Sequence, residues 1–200
     1  MTEWGEQAVA ALVAAQAKPV ERGMESAPPR PGLYAVHAPT EVWLELGLGT
    51  PPDGRPLYVG KSESSLAGRD VGTHFGFASD DRETSVTGGS TLRRSFAALL
   101  HDSHGYRGIP RNPNKPSHFS NYGLDAGQDC ELSAWMREWL LLACWAKPAD
   151  CHGPLLPIER AVFERLRPPL NLRDVVTPWK PKLDAARRVM TAEARAWTLT

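Results

Sequence analysis

The sequence predicts a mixed α+β fold in which the core elements follow the order β-β-α-α-β-α. Three short apolar runs, at residues 33–38, 57–60 and 140–146, predict the strands, and amphipathic patterns between and after them predict the helices. Additional helices are expected at both ends of the chain. A length of 200 residues suits one domain with extensions.

The first half of the chain is predicted to hold an N-terminal extension, two strands and one helix. Apolar residues at helical spacing over 3–17 predict a helix, and prolines at 28–31 follow it, so we assign residues 1–27 to a helical extension. The runs at 33–38 and 57–60 are expected to pair antiparallel across a long proline-rich connection. Ser62 and Ser64 can cap a helix that runs toward Phe75.

The second half is predicted to hold the remaining core elements. Ser90 or Thr91 caps a second helix, and residues 105–130 are rich in Pro, Gly and Asn, so we expect an insertion that is disordered without a partner. The run at 140–146 is interpreted as a buried central strand, with a continuous helix as the alternative. Pro157 suits the first turn of a helix that Pro168 ends. The domain is expected to span 28–176, and 177–200 to form a C-terminal helix.

Two tripeptides with one tyrosine each carry the most informative pattern. Gly32-Leu33-Tyr34 lies in the first predicted strand, and Tyr58-Val59-Gly60 lies in the second. Four further polar residues follow in order along the chain: Lys61, Arg69, Glu159 and Asn171. This order resembles the GIY-YIG nuclease superfamily over residues 31–173. The resemblance implies a small three-stranded antiparallel sheet flanked by helices, with Gly60 and Asn171 in structural roles.

The resemblance implies that Glu159 is the single metal ligand of a nuclease. Glu159 lies one residue from the apolar stripe of its helix, at the boundary of the core. A hard cation such as Mg²⁺ or Mn²⁺ takes oxygen ligands and keeps several waters, so one carboxylate and the scissile phosphate can hold it. The alternative is a surface glutamate that the helix macrodipole favours in a first turn.

Other residues of the pattern have chemistry suited to cleaving a phosphodiester. Arg69 can direct two N–H groups at a phosphate, although a surface ion pair is its alternative role. His74 is a proton acceptor near neutral pH. The resemblance implies that Tyr34 or Tyr58 orients or deprotonates the attacking water, and we favour Tyr34 because the family places its strand beside that water. Lys61 is expected to contact a phosphate or to lower a tyrosine pKa.

Basic residues are candidates for nucleic-acid contacts, although the formal net charge is zero. Two arginines stand at the start of a predicted helix, where backbone N–H groups also favour a phosphate. The predicted insertion holds further basic residues and no acid before Asp125. Ordinary solvated faces are the alternative for both groups. The candidates are Arg93, Arg94, Arg107, Arg111 and Lys115.

The sequence therefore predicts a metal-dependent endonuclease that acts on DNA. The stretched spacing between the tyrosine strands is similar to that of stand-alone bacterial members of the family, the type II restriction endonucleases. The alternatives are a structure-specific repair or recombination nuclease, a non-catalytic nucleic-acid-binding domain, and a protein–protein adaptor. No apolar run reaches the ~20 residues that cross a membrane, no signal peptide is evident, and three cysteines form no framework, so a cytoplasmic protein is expected. Both a monomer and a homodimer remain open.

Overall fold

Four strands form one antiparallel sheet in the computed structural model, which describes residues 3–77, 86–172 and 175–198, without the side chains of residues 69 and 70. Their order across the sheet is β1-β4-β2-β3. The predicted α+β class is confirmed, and the three predicted strands are present. A two-residue strand from the N-terminal segment adds a fourth. The strands are β1 (Lys18–Pro19), β2 (Gly32–His37), β3 (Tyr58–Ser62) and β4 (Leu141–Ala146).

Helices pack on both faces of this sheet. They are α1 (Glu3–Ala11), α2 (Val20–Glu25), α3 (Thr40–Glu45), α4 (Arg69–His74), α5 (Val86–Gly89), α6 (Thr91–Leu99), α7 (His101–His104), α8 (Ala126–Trp139), α9 (Leu156–Leu166) and α10 (Lys180–Ala196). Short 3-10 turns lie at Ala14–Gln16 and Phe119–Asn121. None of the helices in these described ranges is long and apolar enough to cross a membrane.

The alternating side chains of the strands build two separate cores. On one face, Leu33 and Val59 pack with apolar residues of α1 and α9. On the other face, Tyr34 and Val36 pack with apolar residues of α6, α8 and α10. The N-terminal segment is also tied to the sheet directly, because the His37 ring lies 2.8 Å from the backbone oxygen of Leu12.

The apolar run before residue 147 is a strand, as predicted, and the helical alternative is wrong. β4 lies between β1 and β2 in the sheet. In the pairing of β2 with β4, Tyr34 of β2 lies opposite Cys144 of β4. The predicted helix from Ser62 begins later, at Arg69. Ser62 instead belongs to β3, and its hydroxyl closes a turn with the backbone N–H and carbonyl of Ser65.

The segment 105–130 is ordered, so the expectation of disorder is wrong. Tyr106 and Tyr122 are fully buried in the core, and Ile109 pairs with Gly123 in an isolated bridge. The Tyr122 hydroxyl donates a hydrogen bond of 2.6 Å to the backbone oxygen of Arg94. Pro, Gly and Asn disfavour regular elements, but they do not prevent two buried aromatic rings from anchoring a loop.

Asn171 closes the outer edge of β3. Its Oδ1 accepts a hydrogen bond of 2.9 Å from the Val59 N–H, and its Nδ2 donates one of 2.7 Å to the Val59 carbonyl. The Leu170 N–H also donates to the Leu57 carbonyl, at 2.9 Å. The chain after α9 therefore satisfies an edge strand that would otherwise expose unpaired backbone groups.

Replacing Asn171 tests this double hydrogen bond. We expect Asn171→Ala to lower the free energy of unfolding by about 1–3 kcal/mol, because it leaves both polar groups of Val59 without their partner. Asn171→Asp should be at least as harmful at neutral pH, since a second carboxylate oxygen then faces the Val59 carbonyl. Acidification that protonates the new carboxyl should recover part of the loss. Urea denaturation at both pH values measures this, and an unchanged midpoint for Asn171→Ala would contradict it.

Candidate active site

The register of β2 and β3 brings the two tyrosines of the tripeptides together. Tyr34 pairs with Gly60 and Tyr58 pairs with Val36, so the tyrosines are diagonal neighbours on one face of the sheet. Their ring centroids are 6.1 Å apart. The two phenol groups interact, and this interaction adds to the rise in the pKa of Tyr34 and opposes the rise in the pKa of Tyr58.

Gly60 makes room for the Tyr34 ring. A Cβ atom at position 60 would overlap both the ring and the hydroxyl of Tyr34. Any other residue would therefore displace the ring from its place across β3. This close approach is the physical reason for the glycine that ends the second tripeptide.

Both tyrosines are protonated at neutral pH in this environment. Burial is the largest cause that raises the pKa of Tyr34 well above its ordinary value, and Tyr58 and Glu159 raise it further. Burial also raises the pKa of Tyr58, and Glu159 adds to the effect. Tyr34 is only 2% exposed, whereas Tyr58 is half-buried. Which of the two tyrosines contacts the attacking water stays a prediction.

Helix α9 places Glu159 beside this pair. Ile158, Val162 and Phe163 anchor the helix in the core beneath the sheet. Glu159 is 9% exposed, and its charge raises the pKa of both tyrosines, so the carboxylate lies near both hydroxyls. Its Oε2 is 3.7 Å from Nζ of Lys61.

The Lys61 ammonium group lies close to the carboxylates of Glu63 and Glu159. Its Nζ lies 2.9 Å from Oε1 of Glu63, and that hydrogen bond is the main cause that raises the pKa of Lys61, with Glu159 adding to it. The pKa of neither tyrosine is lowered by Lys61. Both roles expected of Lys61, the phosphate contact and the lowering of a tyrosine pKa, stay predictions.

His74 reaches the site from the end of α4. Its ring centroid is 6.1 Å from that of Tyr34, and its Nδ1 lies 2.7 Å from Oγ of Ser90. Ser90 also accepts the Arg93 N–H as the N-cap of α6. The sequence indicated Ser90 or Thr91 as the helix cap, but the contact of Ser90 with His74 spans 16 residues and no local pattern indicates it.

Arg69 begins α4, but its side chain lies outside the described part of the structure. Its assignment to the phosphate stays a prediction.

Arg93 does not fit the expectation of a nucleic-acid contact. Its side chain is 0% exposed, and its guanidinium lies 3.0 Å from the Asp129 carboxylate. It also donates to Thr87 Oγ1 at 3.1 Å and to the His74 carbonyl at 3.2 Å. This buried ion pair holds α4, α5, α6 and α8 together. Arg93 is therefore a structural residue, because its donors are occupied within the protein.

The remaining predicted basic residues lie in different surroundings. Arg107 is 3.6 Å from Glu193 and donates to the Tyr106 carbonyl, so part of its charge is neutralised. Arg111 and Lys115 are exposed. Arg94 is buried at the start of α6.

The donor set fits a hard divalent cation held by one carboxylate. Within residues 3–77, 86–172 and 175–198, no group of three or more His, Cys, Asp or Glu could enclose a metal ion. The described part of the site therefore offers no closed cage of protein ligands, as a structural zinc would need. Mg²⁺ keeps several waters and takes one or two carboxylates plus phosphate oxygens, which agrees with Glu159 as a single ligand.

Comparison with known proteins identifies this arrangement with one family. The sequence model of the family described as GIY-YIG catalytic domain matches residues 53–189, which is more than half of the chain. The matched span includes Tyr58, Arg69, Glu159 and Asn171 and begins after Tyr34. Comparisons with curated proteins and with solved structures gave no significant match.

The buried role of Arg93 predicts a large loss of stability on substitution. Arg93→Met should lower the free energy of unfolding by about 3–5 kcal/mol, because it leaves the Asp129 carboxylate buried without its cation. The matched control is Arg188→Met, which removes an exposed arginine and should change stability little. Adding Asp129→Asn to Arg93→Met should recover part of the loss. Weakened DNA binding by an Arg93→Met protein of normal stability would restore the original assignment.

The raised pKa values predict that the tyrosine hydroxyls of the folded protein ionise only at strongly alkaline pH. All four tyrosines are shifted upward, and burial raises the pKa of Tyr106 and of Tyr122 to about 12. The folded state holds these protons more tightly, so stability should be full below pH ~10 and decline as the pH rises further. Tyrosinate absorbance of the metal-free protein should appear only above that pH, and the denatured control should titrate normally. One tyrosine ionising near neutral pH would contradict this.

Proposed function

Because the chain belongs to the GIY-YIG nuclease superfamily, we propose that it is an endonuclease that hydrolyses DNA phosphodiester bonds with the help of Mg²⁺ or Mn²⁺. GIY-YIG nucleases are generally metal-dependent. The observation that carries the proposal is the convergence of Tyr34, Tyr58 and Glu159 at one place. Glu159 comes from a helix about a hundred residues beyond the tyrosine strands, yet its charge acts on both hydroxyls.

Hydrolysis adds the oxygen of water to phosphorus and breaks the bond from phosphorus to the leaving sugar oxygen. Water must lose a proton, and the leaving oxygen must gain one from solvent or from an acid. A cation bound at Glu159 would neutralise charge on the phosphate oxygens. The protein's own groups must orient the water and receive its proton.

We assign the orientation of the water to Tyr58. Tyr58 is the more exposed of the two residues. In this proposal its oxygen accepts the Tyr34 proton, which leaves its own O–H to bind the water. Tyr34 then acts through Tyr58 as a positioning residue. An ionised Tyr58 would be the base if the cation lowers its pKa, and His74 is the alternative base, since its ring lies beside Tyr34.

Positive charge for the transition state comes from Lys61 and, in our proposal, Arg69. Lys61 is exposed enough to exchange its contact with Glu63 for a phosphate oxygen, because that ion pair lies near the surface. Arg69 starts the helix that ends at His74, so both belong to one element. Preorganised donors of this kind stabilise charge that develops on the phosphate.

Several finer assignments stay predictions. Cleavage at a defined sequence, as by the restriction endonucleases, is one of them; cleavage of a repair or recombination structure is its alternative. A cytoplasmic location and the choice between monomer and homodimer are others. A non-catalytic binding domain is less favoured, because the tyrosines and Glu159 form an intact site.

A single substitution in α9 tests the proposal. Glu159→Gln should lower the rate of cleavage of supercoiled plasmid with Mg²⁺ by at least ~10²-fold, the scale for losing one important electrostatic contact in the transition state. EDTA should abolish cleavage by the parent protein. Binding of the same DNA in EDTA should change by only a few-fold, because Glu159 is proposed to hold the metal ion.

Glu164→Gln is the matched control. Glu164 is exposed on the same helix, so this variant should cleave like the parent. Cleavage at the parental rate by Glu159→Gln would reject Glu159 as the ligand. Absence of cleavage by the parent with either metal, together with intact DNA binding, would favour the non-catalytic alternative.

A further inference from the structure

Three arginines from distant parts of the chain meet at the start of α6. Arg94 lies in the first turn of the helix, and its guanidinium donates to the Gly88 carbonyl at 2.6 Å and to Thr91 Oγ1 at 3.1 Å. Arg187 of α10 donates to the Thr91 carbonyl at 3.4 Å. The stem of Arg111 lies over Gly88, where a Cβ atom would overlap it.

The positive charge of this cluster is not neutralised within the described ranges. In them, no carboxylate forms a salt bridge with Arg94, Arg111 or Arg187. The pKa of Arg94 is lowered to about 10, first by burial and then by the charges of Arg187 and Arg111. Arg94 is 8% exposed, and its Nε has no hydrogen-bond partner among the described atoms.

The guanidinium groups are held in place by the fold. Arg187 lies over the Tyr122 ring, with its Cζ 5.7 Å from the ring centroid, and it also donates to Ser95 Oγ at 3.3 Å. Tyr122 in turn bonds the Arg94 carbonyl at 2.6 Å. Like charges held close together destabilise a protein unless an anion neutralises them. Because no carboxylate of the described ranges does so, the preorganised guanidinium groups are suited to an anionic ligand.

We propose that Arg94, Arg111 and Arg187 form a binding site for one backbone phosphate of the nucleic acid. Planar guanidinium groups match the oxygens of a phosphate, and the start of α6 adds the favourable end of a helix dipole. Ser90, which holds His74 in the candidate active site, directly precedes this helix. The assignment to a nucleic acid rests on the proposed function, whereas the affinity for phosphate does not.

The site is tested with the double variant Arg111→Gln/Arg187→Gln, which leaves buried Arg94 unchanged. Arg188→Gln is the matched control, because Arg188 is exposed and adjacent to Arg187 on α10. The first probe is inorganic phosphate, measured by its effect on the melting temperature. Phosphate should raise the melting temperature of the parent and of the control through binding to the folded state, and the double variant should lose this rise.

The second probe is a short DNA duplex, whose binding is measured in EDTA over a range of salt concentrations. For one lost phosphate contact, the slope of log K against log salt should become shallower by about 1 in the double variant and stay unchanged in the control. Circular dichroism without phosphate verifies that the variants are folded.

The outcomes separate the parts of the proposal. The proposed site would be overturned if the folded double variant kept both the parental salt slope and the parental rise in melting temperature with phosphate. It would also be overturned if Arg188→Gln lost the phosphate response as fully as the double variant. Loss of the phosphate response with an unchanged slope would overturn the nucleic-acid assignment in favour of free phosphate. Failure of the parent to bind DNA, with its phosphate response intact, would refute the proposed function and the backbone assignment, while supporting the phosphate site.

Discussion

The packing of the Tyr34 ring across Gly60 determines the geometry of the candidate site. It requires the observed register of β2 and β3, in which residues 34 and 60 face each other. A slip of one residue would turn every side chain of a strand to the opposite face of the sheet and would separate Tyr34 from Tyr58. The diagonal placement of the two tyrosines, and the interaction between their hydroxyls, follow from this register. The edge of β3 is in turn secured by Asn171, so the chain after α9 supports the same arrangement.

Two adjacent buried arginines on α6 have different surroundings. Arg93 faces inward and forms the buried ion pair with Asp129, which also ties down the carbonyl of His74. Arg94 follows it and joins the arginine cluster near Tyr122. One helix therefore carries a structural cation on one side and a proposed phosphate contact on the other. Because Ser90 caps this helix and contacts His74, a ligand at the cluster would lie on the same element that positions His74, a candidate base.

The sequence was sufficient for the family, the α+β class and the three main strands, because these depend on short apolar runs and two tripeptides. It was insufficient where distant contacts decide the outcome. Proline and glycine content gave no indication that Tyr106 and Tyr122 anchor the segment 105–130 in the core. Helix position alone did not indicate that Arg93 forms a buried ion pair, whereas Arg94 joins the arginine cluster. The contribution of Arg187 depends on packing of α10 against α6, which no local pattern encodes.

The most direct test of the account is single-turnover cleavage by Tyr34→Phe, Tyr58→Phe and the double variant, each verified to be folded. The account predicts that Tyr58→Phe slows cleavage more than Tyr34→Phe does. It also predicts that the double variant is no slower than Tyr58→Phe, since Tyr34 acts only through the Tyr58 hydroxyl and residues that act as a unit are not additive. A larger loss for Tyr34→Phe would assign the water to Tyr34. Parental rates in all three variants would show that the tyrosines serve the core alone and would contradict the account.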